Sequence, residues 1–204
     1  ICSAQLLRKS PRSRLIFQST KTFAGYHLLE LSPWISSATN PPASNFCMEN
    51  IEIRKAMLKD LDDILRLNFE LFKKERREYD RLLDMKWTYG EGKKYFVRRI
   101  IRKDGFVAVA EYKGKRVGYL CGAIDKMESY RIQKKHAELE NMFVEKKFRG
   151  QGIGRKLAEG FFDWCRKKKV EYVSVSASFA NSEGVHFYEK LGFKGYSTVL
   201  EMKL

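Results

Sequence analysis

The sequence lacks the features that mark several large classes of protein. None of its apolar stretches is long enough to span a membrane. Its four cysteines include no C-x-x-C pair and no metal-site spacing, and its three histidines are scattered. The G-x-x-x-x-G-K-[ST] motif of P-loop nucleotide-binding proteins is absent as well. The sequence therefore predicts no membrane partner, no metal site and no P-loop.

Charged residues are abundant, and positive charge prevails. The chain of 204 residues is 32% charged and 44% hydrophobic, and its net charge is +15, as expected for a globular protein with one good core. A basic surface suits phosphate-bearing ligands, nucleic acid or ribosomes, although a solvated surface of mixed charges explains the same composition. Because basic and aromatic residues do not cluster as in nucleic-acid-binding modules, a nucleic-acid partner is not expected.

Two regions of the chain bear on domain organisation and location. Residues 1–47 contain Ser, Pro and Arg with Glu30 as their only acidic residue, which fits a transit peptide, a linker or spurious upstream translation. We predict an N-terminal extension over 1–47 and a folded domain over 48–204. Cys121 and Cys165 lie in strand and helix patterns and are predicted to be buried free thiols. Free thiols indicate a reducing compartment, which is either the cytoplasm or, if residues 1–47 are a transit peptide, an organelle.

The patterns after Met48 predict alternating strands and helices. Period-two alternation predicts strands, and apolar residues three and four apart predict helices. The predicted order is β-α-α-β-β-β-α-β-α-β, with a short hairpin at Lys113-Gly114-Lys115. The strands are predicted at 51–55, 105–112, 116–125, 137–145, 172–178 and 196–203, and the helices at 59–77, 93–103, 153–168 and 181–191.

A glycine-rich turn lies between the fourth strand and the third helix. Its three glycines let the backbone approach a bulky anion, since no Cβ blocks the way. The N–H groups and the dipole of the following helix point at such an anion, and two arginines add positive charge. The turn therefore predicts a pyrophosphate-binding site formed by Arg149, Gly150, Gln151, Gly152, Ile153, Gly154 and Arg155.

Two motifs together indicate a family. The pattern Arg-x-x-Gly-x-Gly, from Arg149 to Gly154, resembles the acetyl-CoA loop of the GNAT N-acetyltransferases. The segment from Asn181 to Phe193, which ends in Phe-Tyr-Glu-Lys-Leu-Gly-Phe, is similar to the second GNAT signature. The resemblance covers about residues 48 to 204. It implies an α/β fold with a mixed central sheet, splayed parallel strands and flanking helices, and acetyl transfer from acetyl-CoA to a primary amine by direct attack in a ternary complex.

The fourth strand shows a break in its alternation. Its apolar residues at Leu139, Met142 and Val144 change phase, which predicts a β-bulge near Glu140 and Asn141. In the resembling family a bulge here separates two parallel strands, and the pantetheine arm of the cofactor lies in the gap. The resemblance thus implies that the backbone of Met142, Phe143 and Val144 binds the cofactor, with an N–H near Phe143 stabilising the oxyanion.

Three side chains are candidates for catalysis. An amine with a pKa of ~10 is protonated at neutral pH, so acetyl transfer needs a base or a water chain. Glu138 and Glu140 are the candidate bases, although both could simply line a solvated sheet face. Tyr188 matches the signature tyrosine and is the candidate acid for the leaving thiolate. Asn181 resembles the family's pantetheine-binding Asn, and an ordinary helix N-cap is the alternative.

The acceptor is the least defined part of the prediction. The stretch 79–91 holds three aromatic and three acidic residues, which suits a cationic amine, but it also fits a solvated, partly buried loop. The basic run 73–77 would repel a polyamine. The identity of the amine stays open, and the resemblance allows a homodimer. An alternative function is a CoA-binding regulatory or nucleic-acid-associated module on the same fold without turnover.

Overall fold

The structure is a computed structural model of the protein, and it describes residues 50–204. The predicted N-terminal extension, 1–47, lies outside these residues. Within them the chain forms five strands and four helices, with the bounds β1 Ile51–Lys55, α1 Leu61–Glu78, α2 Glu91–Ile101, β2 Gly105–Tyr112, β3 Lys115–Asp125, β4 His136–Val144, α3 Ile153–Lys167, β5 Tyr172–Val175 and α4 Ser182–Lys190.

The strands form one sheet in the order β1-β2-β3-β4-β5. The first three pairings are antiparallel, and β4 and β5 are parallel because α3 crosses between them. Lys113 and Gly114 join β2 to β3 with φ values of 48° and 78°. Two such residues form the tight hairpin turn whose twist matches the strands, so the predicted hairpin is confirmed.

Side chains alternate between the two sides of the sheet, and each side has its own core. In β2, Val107 and Val109 belong to the cluster formed with α1 and α2, whereas Phe106 and Ala108 belong to the cluster formed with α3. We call these sides the α1/α2 face and the α3 face. α4 packs on the α3 face through Tyr188. The sheet is therefore covered by helices on both faces.

The α1/α2 face contains buried polar side chains that are hydrogen-bonded to one another. The amide of Asn68 on α1 donates to the hydroxyl of Tyr119 on β3 at 3.0 Å. The hydroxyl of Thr88 donates to the other end of the same amide at 2.9 Å. All three side chains are fully buried, so these bonds satisfy groups that water does not reach.

A second polar network joins the start of α1 to the sheet. The carboxylate of Asp60 is fully buried and pairs with Arg54 of β1 at 2.8 Å and with Arg116 of β3 at 2.7 Å. It also accepts the backbone N–H of Met57 at 2.9 Å. The hydrogen bond from Arg54 holds the pKa of Asp60 well below its usual value, although burial acts in the opposite direction.

The predicted fold class is confirmed, and the last predicted strand is wrong. The sheet is mixed and flanked by helices, but residues 193–204 form neither helix nor strand. Val199, Leu200 and Met202 are exposed. Alternation becomes a strand only where a neighbouring strand supplies the cross-strand contacts, and within residues 50–204 this segment has none.

Two further expectations concern the helices and the thiols. No helix within residues 50–204 has the length and apolar character needed to cross a membrane. Cys121 and Cys165 are buried free thiols, as predicted. Burial raises the pKa of Cys165 to about 11 and also raises that of Cys121, so both stay protonated at neutral pH.

Candidate active site

The predicted β-bulge lies in β4. Cys121 of β3 faces Asn141, and the next residue of β3, Gly122, faces Leu139. Glu140 is therefore the extra residue, and the prediction is confirmed. At the same point β3 passes very close to its neighbours, because a Cβ on Gly122 would lie 2.6 Å from both the Glu138 carbonyl oxygen and the nearest ring carbon of Phe161.

The bulge divides β4 into two halves with different neighbours. The half from His136 to Leu139 pairs with β3 on one side and with β5 on the other, where Leu139 faces Val175. β5 ends at Val175, so within residues 50–204 the half from Met142 to Val144 pairs with β3 alone. An extended ligand can occupy the open backbone edge of this half as an added strand would.

The open edge presents two backbone N–H groups. Glu145, one residue beyond β4, donates its N–H to the carbonyl of Val117 at 2.9 Å, so this pair is of the hydrogen-bonded kind. Such pairs alternate along an antiparallel ladder. The N–H of Phe143 therefore faces β3, and those of Met142 and Val144 face the open edge. Stabilisation of the oxyanion by an N–H near Phe143 stays a prediction, and the N–H groups open to a ligand there are those of Met142 and Val144.

The glycine-rich turn leads from this half of β4 into α3. Gly150 and Gly152 both have φ of 75°, in the left-handed region that favours glycine. Gly152 is the N-cap of α3 and supplies no side-chain hydrogen bond. A Cβ on either glycine would meet no atom within 4 Å. The first N–H groups of α3 are thus open to an anion placed beside the turn.

Two arginines flank the turn and are held by neighbouring elements. Arg149 donates from Nε to the Val144 carbonyl at 2.9 Å, and its guanidinium lies 5.4 Å from the centre of the Phe143 ring. Arg155 reaches the Lys190 carbonyl at the end of α4, at 3.5 Å. Positive charge is therefore fixed on both sides of the helix N-terminus, which strengthens its attraction for a pyrophosphate.

Close packing brings the second signature next to the first. A Cβ on Gly154 would lie 3.2 Å from the Phe187 ring, so this glycine lets the first turn of α3 approach α4. Tyr188, the next residue of α4, is only 3% exposed and packs edge-on against Phe187 and Phe193. The tyrosine predicted as an acid is thus part of the core on the α3 face.

Asn181 is the N-cap of α4. Its Oδ1 accepts the backbone N–H of Gly184 at 3.1 Å and the hydroxyl of Tyr79 at 3.3 Å. The ordinary N-cap that the sequence allowed is therefore present. The second bond joins the residue after α1 to the start of α4. Binding of pantetheine by Asn181 stays a prediction.

The two candidate bases have different surroundings, although both lie in β4. Glu140 accepts the Tyr95 hydroxyl at 2.6 Å and the Arg99 Nε at 2.8 Å, and Arg99 also donates to its other oxygen. Burial raises the pKa of Tyr95, which keeps its hydroxyl protonated as a donor. Glu138 is half-buried and lies two residues earlier in the strand, facing Ala123 of β3.

Sequence reasoning missed the two α2 residues that hold Glu140. Tyr95 and Arg99 are four residues apart and therefore share a face of α2. That spacing was the available signal, but nothing in it indicates which carboxylate of a distant strand the pair meets. Asn141, beside Glu140, donates to the Tyr95 hydroxyl at 3.3 Å, and its own Oδ1 is buried without a hydrogen-bond partner among the described residues.

The stretch predicted as an acceptor wall is engaged locally. Trp87 stacks on Phe72 with 5.3 Å between ring centres, and it packs against the core of the α1/α2 face. Asp80 and Asp84 each accept a backbone N–H two residues further along the chain, at 2.9 Å. These contacts favour the partly buried loop over a cage for a cationic amine.

The described residues suit a ligand of the CoA type. Within residues 50–204 no three His, Cys, Asp or Glu side chains lie together as a metal site. The open edge of β4, the uncapped start of α3 and the two left-handed glycines lie in sequence along the chain. Together they would hold an extended amide-containing arm followed by a pyrophosphate.

Comparisons with known proteins point to one family. The model described as the acetyltransferase (GNAT) family matches residues 59–193. An uncharacterised N-acetyltransferase of Methanocaldococcus jannaschii is 30% identical over 146 residues, which cover 70% of this chain and 60% of the relative. One from Archaeoglobus fulgidus is 30% identical over 139 residues, or 68% of this chain and 89% of the relative. The match thus spans less than two thirds of the first relative's length.

Solved structures show the same fold. The aminoglycoside N-acetyltransferase AAC(6')-Iy, in its complex with CoA, superposes with a TM-score of 0.58 over 75% of this chain and 98% of its own. Its sequence identity of 16% limits the likeness to the fold. The family match extends over more than half of the chain and includes both signatures. The chain belongs to the GNAT acetyltransferase family.

Proposed function

We propose that the protein transfers the acetyl group of acetyl-CoA to a primary amine by direct attack in a ternary complex. The observation that carries the proposal is the end of β4–β5 pairing at Leu139, which leaves the half of β4 from Met142 to Val144 with an open edge ahead of the glycine turn. An open strand edge leading into an uncapped helix N-terminus suits a ligand with an extended arm and a pyrophosphate. The CoA complex of AAC(6')-Iy, a protein of the same fold, supports this donor.

Acetyl-CoA supplies an activated thioester, and the chain supplies the groups around it. In the proposed reaction the amine nitrogen forms a bond to the carbonyl carbon as the carbon–sulfur bond breaks. The N–H of Met142 or Val144 on the open edge donates to the carbonyl oxygen while negative charge develops there. Fixed backbone donors of this kind need no reorganisation during the reaction.

Glu138 is the proposed base that takes the proton of the amine, directly or through water. It lies in the strand that leads to the open edge, and it is half-buried. Glu140 is proposed as a positioning residue instead, since Tyr95 and Arg99 already donate to both of its oxygens. Its ion pair with α2 fixes the bulge at which β4 leaves β5.

Tyr188 is the proposed acid that returns a proton to the thiolate. A phenol with a pKa of ~10 can donate a proton to a thiolate whose conjugate thiol has a pKa of roughly 8.5. It lies in α4, which Gly154 allows to pack against the first turn of α3. Packing against Phe187 and Phe193 holds the ring in one orientation, which a positioned acid requires.

The proposal is tested first by calorimetric titration of acetyl-CoA into the full chain. We expect one site per chain, and we expect Gly152→Val to weaken it strongly, because valine strains a residue with φ of 75°. Gly195→Val is the matched control, since Gly195 has open space around it and no left-handed φ. No binding at millimolar acetyl-CoA would refute the proposed donor.

Turnover is then measured as release of free CoA thiol with a panel of primary amines. The panel contains an aminoglycoside, a polyamine, a lysine peptide and a peptide with a free N-terminus. Glu138→Gln and Tyr188→Phe are each expected to lower turnover about 10²-fold or more while acetyl-CoA affinity is kept. Unchanged turnover in either variant removes that residue from the mechanism. Binding without turnover for any amine would favour a regulatory module.

A further inference from the structure

A shallow basic concavity lies on the exposed side of α1, toward its C-terminal end. Its volume is about 510 Å³, and its lining consists of Lys73, Arg76, Arg77, Arg81 and Met85. The three residues from α1 are spaced three and four apart, so they share one face of the helix. Arg81 and Met85, from the connection to α2, complete the lining.

The positive charge of this concavity is mostly uncompensated by the chain itself. Within residues 50–204, Lys73, Arg76 and Arg81 make no ion pair with an acidic side chain, and only Arg77 has one, with its neighbour Glu78. Like charges three and four residues apart destabilise a helix. Arg76 and Arg77 lie in the last turn of α1, where the helix dipole favours cations. Lys73 lies before that turn, so neither the dipole nor an ion pair within residues 50–204 accounts for its charge.

The chemistry of the lining restricts what can bind. Guanidinium groups form paired hydrogen bonds with carboxylates and phosphates, and a cavity of this size holds a short segment of an extended ligand. No aromatic residue lines the concavity, so single-stranded bases have no stacking partner there. The surface is concave, whereas reading the major groove of a duplex needs a protruding element. Carboxylates fit better than nucleic acid.

The apolar part of the lining points to a peptide. Met85 and the aliphatic stems of the basic side chains provide surface that a peptide backbone and its side-chain methylenes can cover. We propose that the concavity formed by Lys73, Arg76, Arg77, Arg81 and Met85 docks a peptide segment rich in Asp and Glu on a partner protein. None of these five residues belongs to the groups proposed to bind acetyl-CoA or to transfer its acetyl group.

The proposal is tested with a fluorescein-labelled octaglutamate peptide and the full chain, by fluorescence anisotropy at about 0.1 M salt, where surface charges act over about 10 Å. The double variant Arg76→Glu/Arg81→Glu is expected to weaken binding at least about tenfold, because like charges then face each other. The matched control, Arg98→Glu/Lys103→Glu, changes the net charge equally at two exposed basic positions outside the lining and is expected to bind nearly as the parent does.

Two outcomes overturn the proposal. Equal weakening by the two double variants would mean that the peptide responds to net charge alone. Saturable binding of a 20-nucleotide oligouridine that depends on Arg76 and Arg81, without peptide binding, would assign the concavity to RNA.

Thermal melting of each variant verifies the fold, and Arg76→Gln/Arg81→Gln replaces the charge reversal if that variant melts early. A graded loss of peptide affinity from parent to Gln to Glu variant supports the proposal.

Discussion

The two faces of the central sheet hold their helices by different means. On the α3 face the buried cluster is almost entirely apolar, with Phe161 at its centre and fully buried. On the α1/α2 face three polar networks cross between helix and sheet, namely Asp60–Arg54–Arg116, Asn68–Tyr119–Thr88 and Glu140–Tyr95–Arg99.

The two faces of the sheet contribute differently to the candidate site. Apolar contacts stabilise without direction, so the α3 face can position a helix but cannot orient a single backbone group. Hydrogen bonds and ion pairs are directional, and one of the three networks ends on Glu140, the bulged residue of β4. The α1/α2 face therefore fixes the place at which β4 leaves β5, in addition to burying an apolar cluster of its own.

Loss of apolar packing on the α3 face is expected to lower the stability of the protein most. Phe161→Ala removes a fully buried ring that also packs against Phe106 and Trp164, and should lower the free energy of unfolding by about 3–5 kcal/mol. Urea denaturation measures it. Phe162→Ala, at a half-buried position of the same helix, is the control and should cost clearly less. Equal losses would mean that the core is not centred on Phe161.

The next prediction concerns the ion pair at the bulge. Arg99→Met leaves the Glu140 carboxylate, only 9% exposed, without its cation and should cost about 3 kcal/mol. Arg99→Met combined with Glu140→Met should recover much of this stability, because two packed apolar side chains replace a buried pair. Acetyl-CoA affinity should stay low in both variants, since neither fixes the bulge. Normal affinity in the double variant would show that packing alone holds β4 in place.

The third prediction uses pH. The pKa of Asp60 is lowered in the folded protein, chiefly by its hydrogen bond with Arg54, so its stabilising contribution is complete above the unfolded pKa of roughly 3.9 and is lost as pH falls below that value. Asp60→Asn should lower the free energy of unfolding at pH 7 by about 2 kcal/mol, because it weakens charge-assisted hydrogen bonds to two partly exposed arginines. It should also flatten the decline of stability between about pH 5 and pH 2. Chemical denaturation across that range measures both, and an unchanged slope would contradict the assignment.

The smallest expected effect is on the hydroxyl of Tyr95. Tyr95→Phe keeps the ring packing and the Arg99 pair but removes one donor to Glu140, at a cost of about 1–2 kcal/mol. Tyr119→Phe is the matched control on the same face, because it removes a buried hydroxyl that contacts Asn68 instead of Glu140. Only the Tyr95 variant should also weaken acetyl-CoA binding. Equal affinity in the two variants would separate this network from the site.

Much of the fold could be predicted because local rules determine it. β1 and β2 have the predicted bounds, since β1 alternates, β2 begins with an unbroken apolar run, and the hairpin at Gly114 ends β2. The bulge was predictable because Leu139 and Met142 break that alternation. The glycine turn was predictable because left-handed backbone at a helix start favours glycine.

The errors lie where distant parts of the chain decide. The segment 196–203 alternates like a strand, but no pairing partner within residues 50–204 makes it one. The role of Glu140 depends on Arg99, 41 residues away in sequence, and no local pattern reveals that contact. Likewise, Trp87 resembles a ligand-binding aromatic in sequence, but its stacking on Phe72 makes it part of the core.

The extra residue in β4 shifts by one the positions whose side chains face the α3 core. Before Glu140 the odd-numbered side chains Ala137 and Leu139 enter the α3 core, and after it the even-numbered Met142 and Val144 do so. Deleting one residue here would make the alternation unbroken, with Leu139, Met142 and Val144 still facing that core, and would therefore remove the bulge at which β4 leaves β5. The number of residues between Leu139 and Gly150 is therefore under stronger constraint than the identity of most of them. Variants of this chain should tolerate substitution in the segment far better than a change in its length.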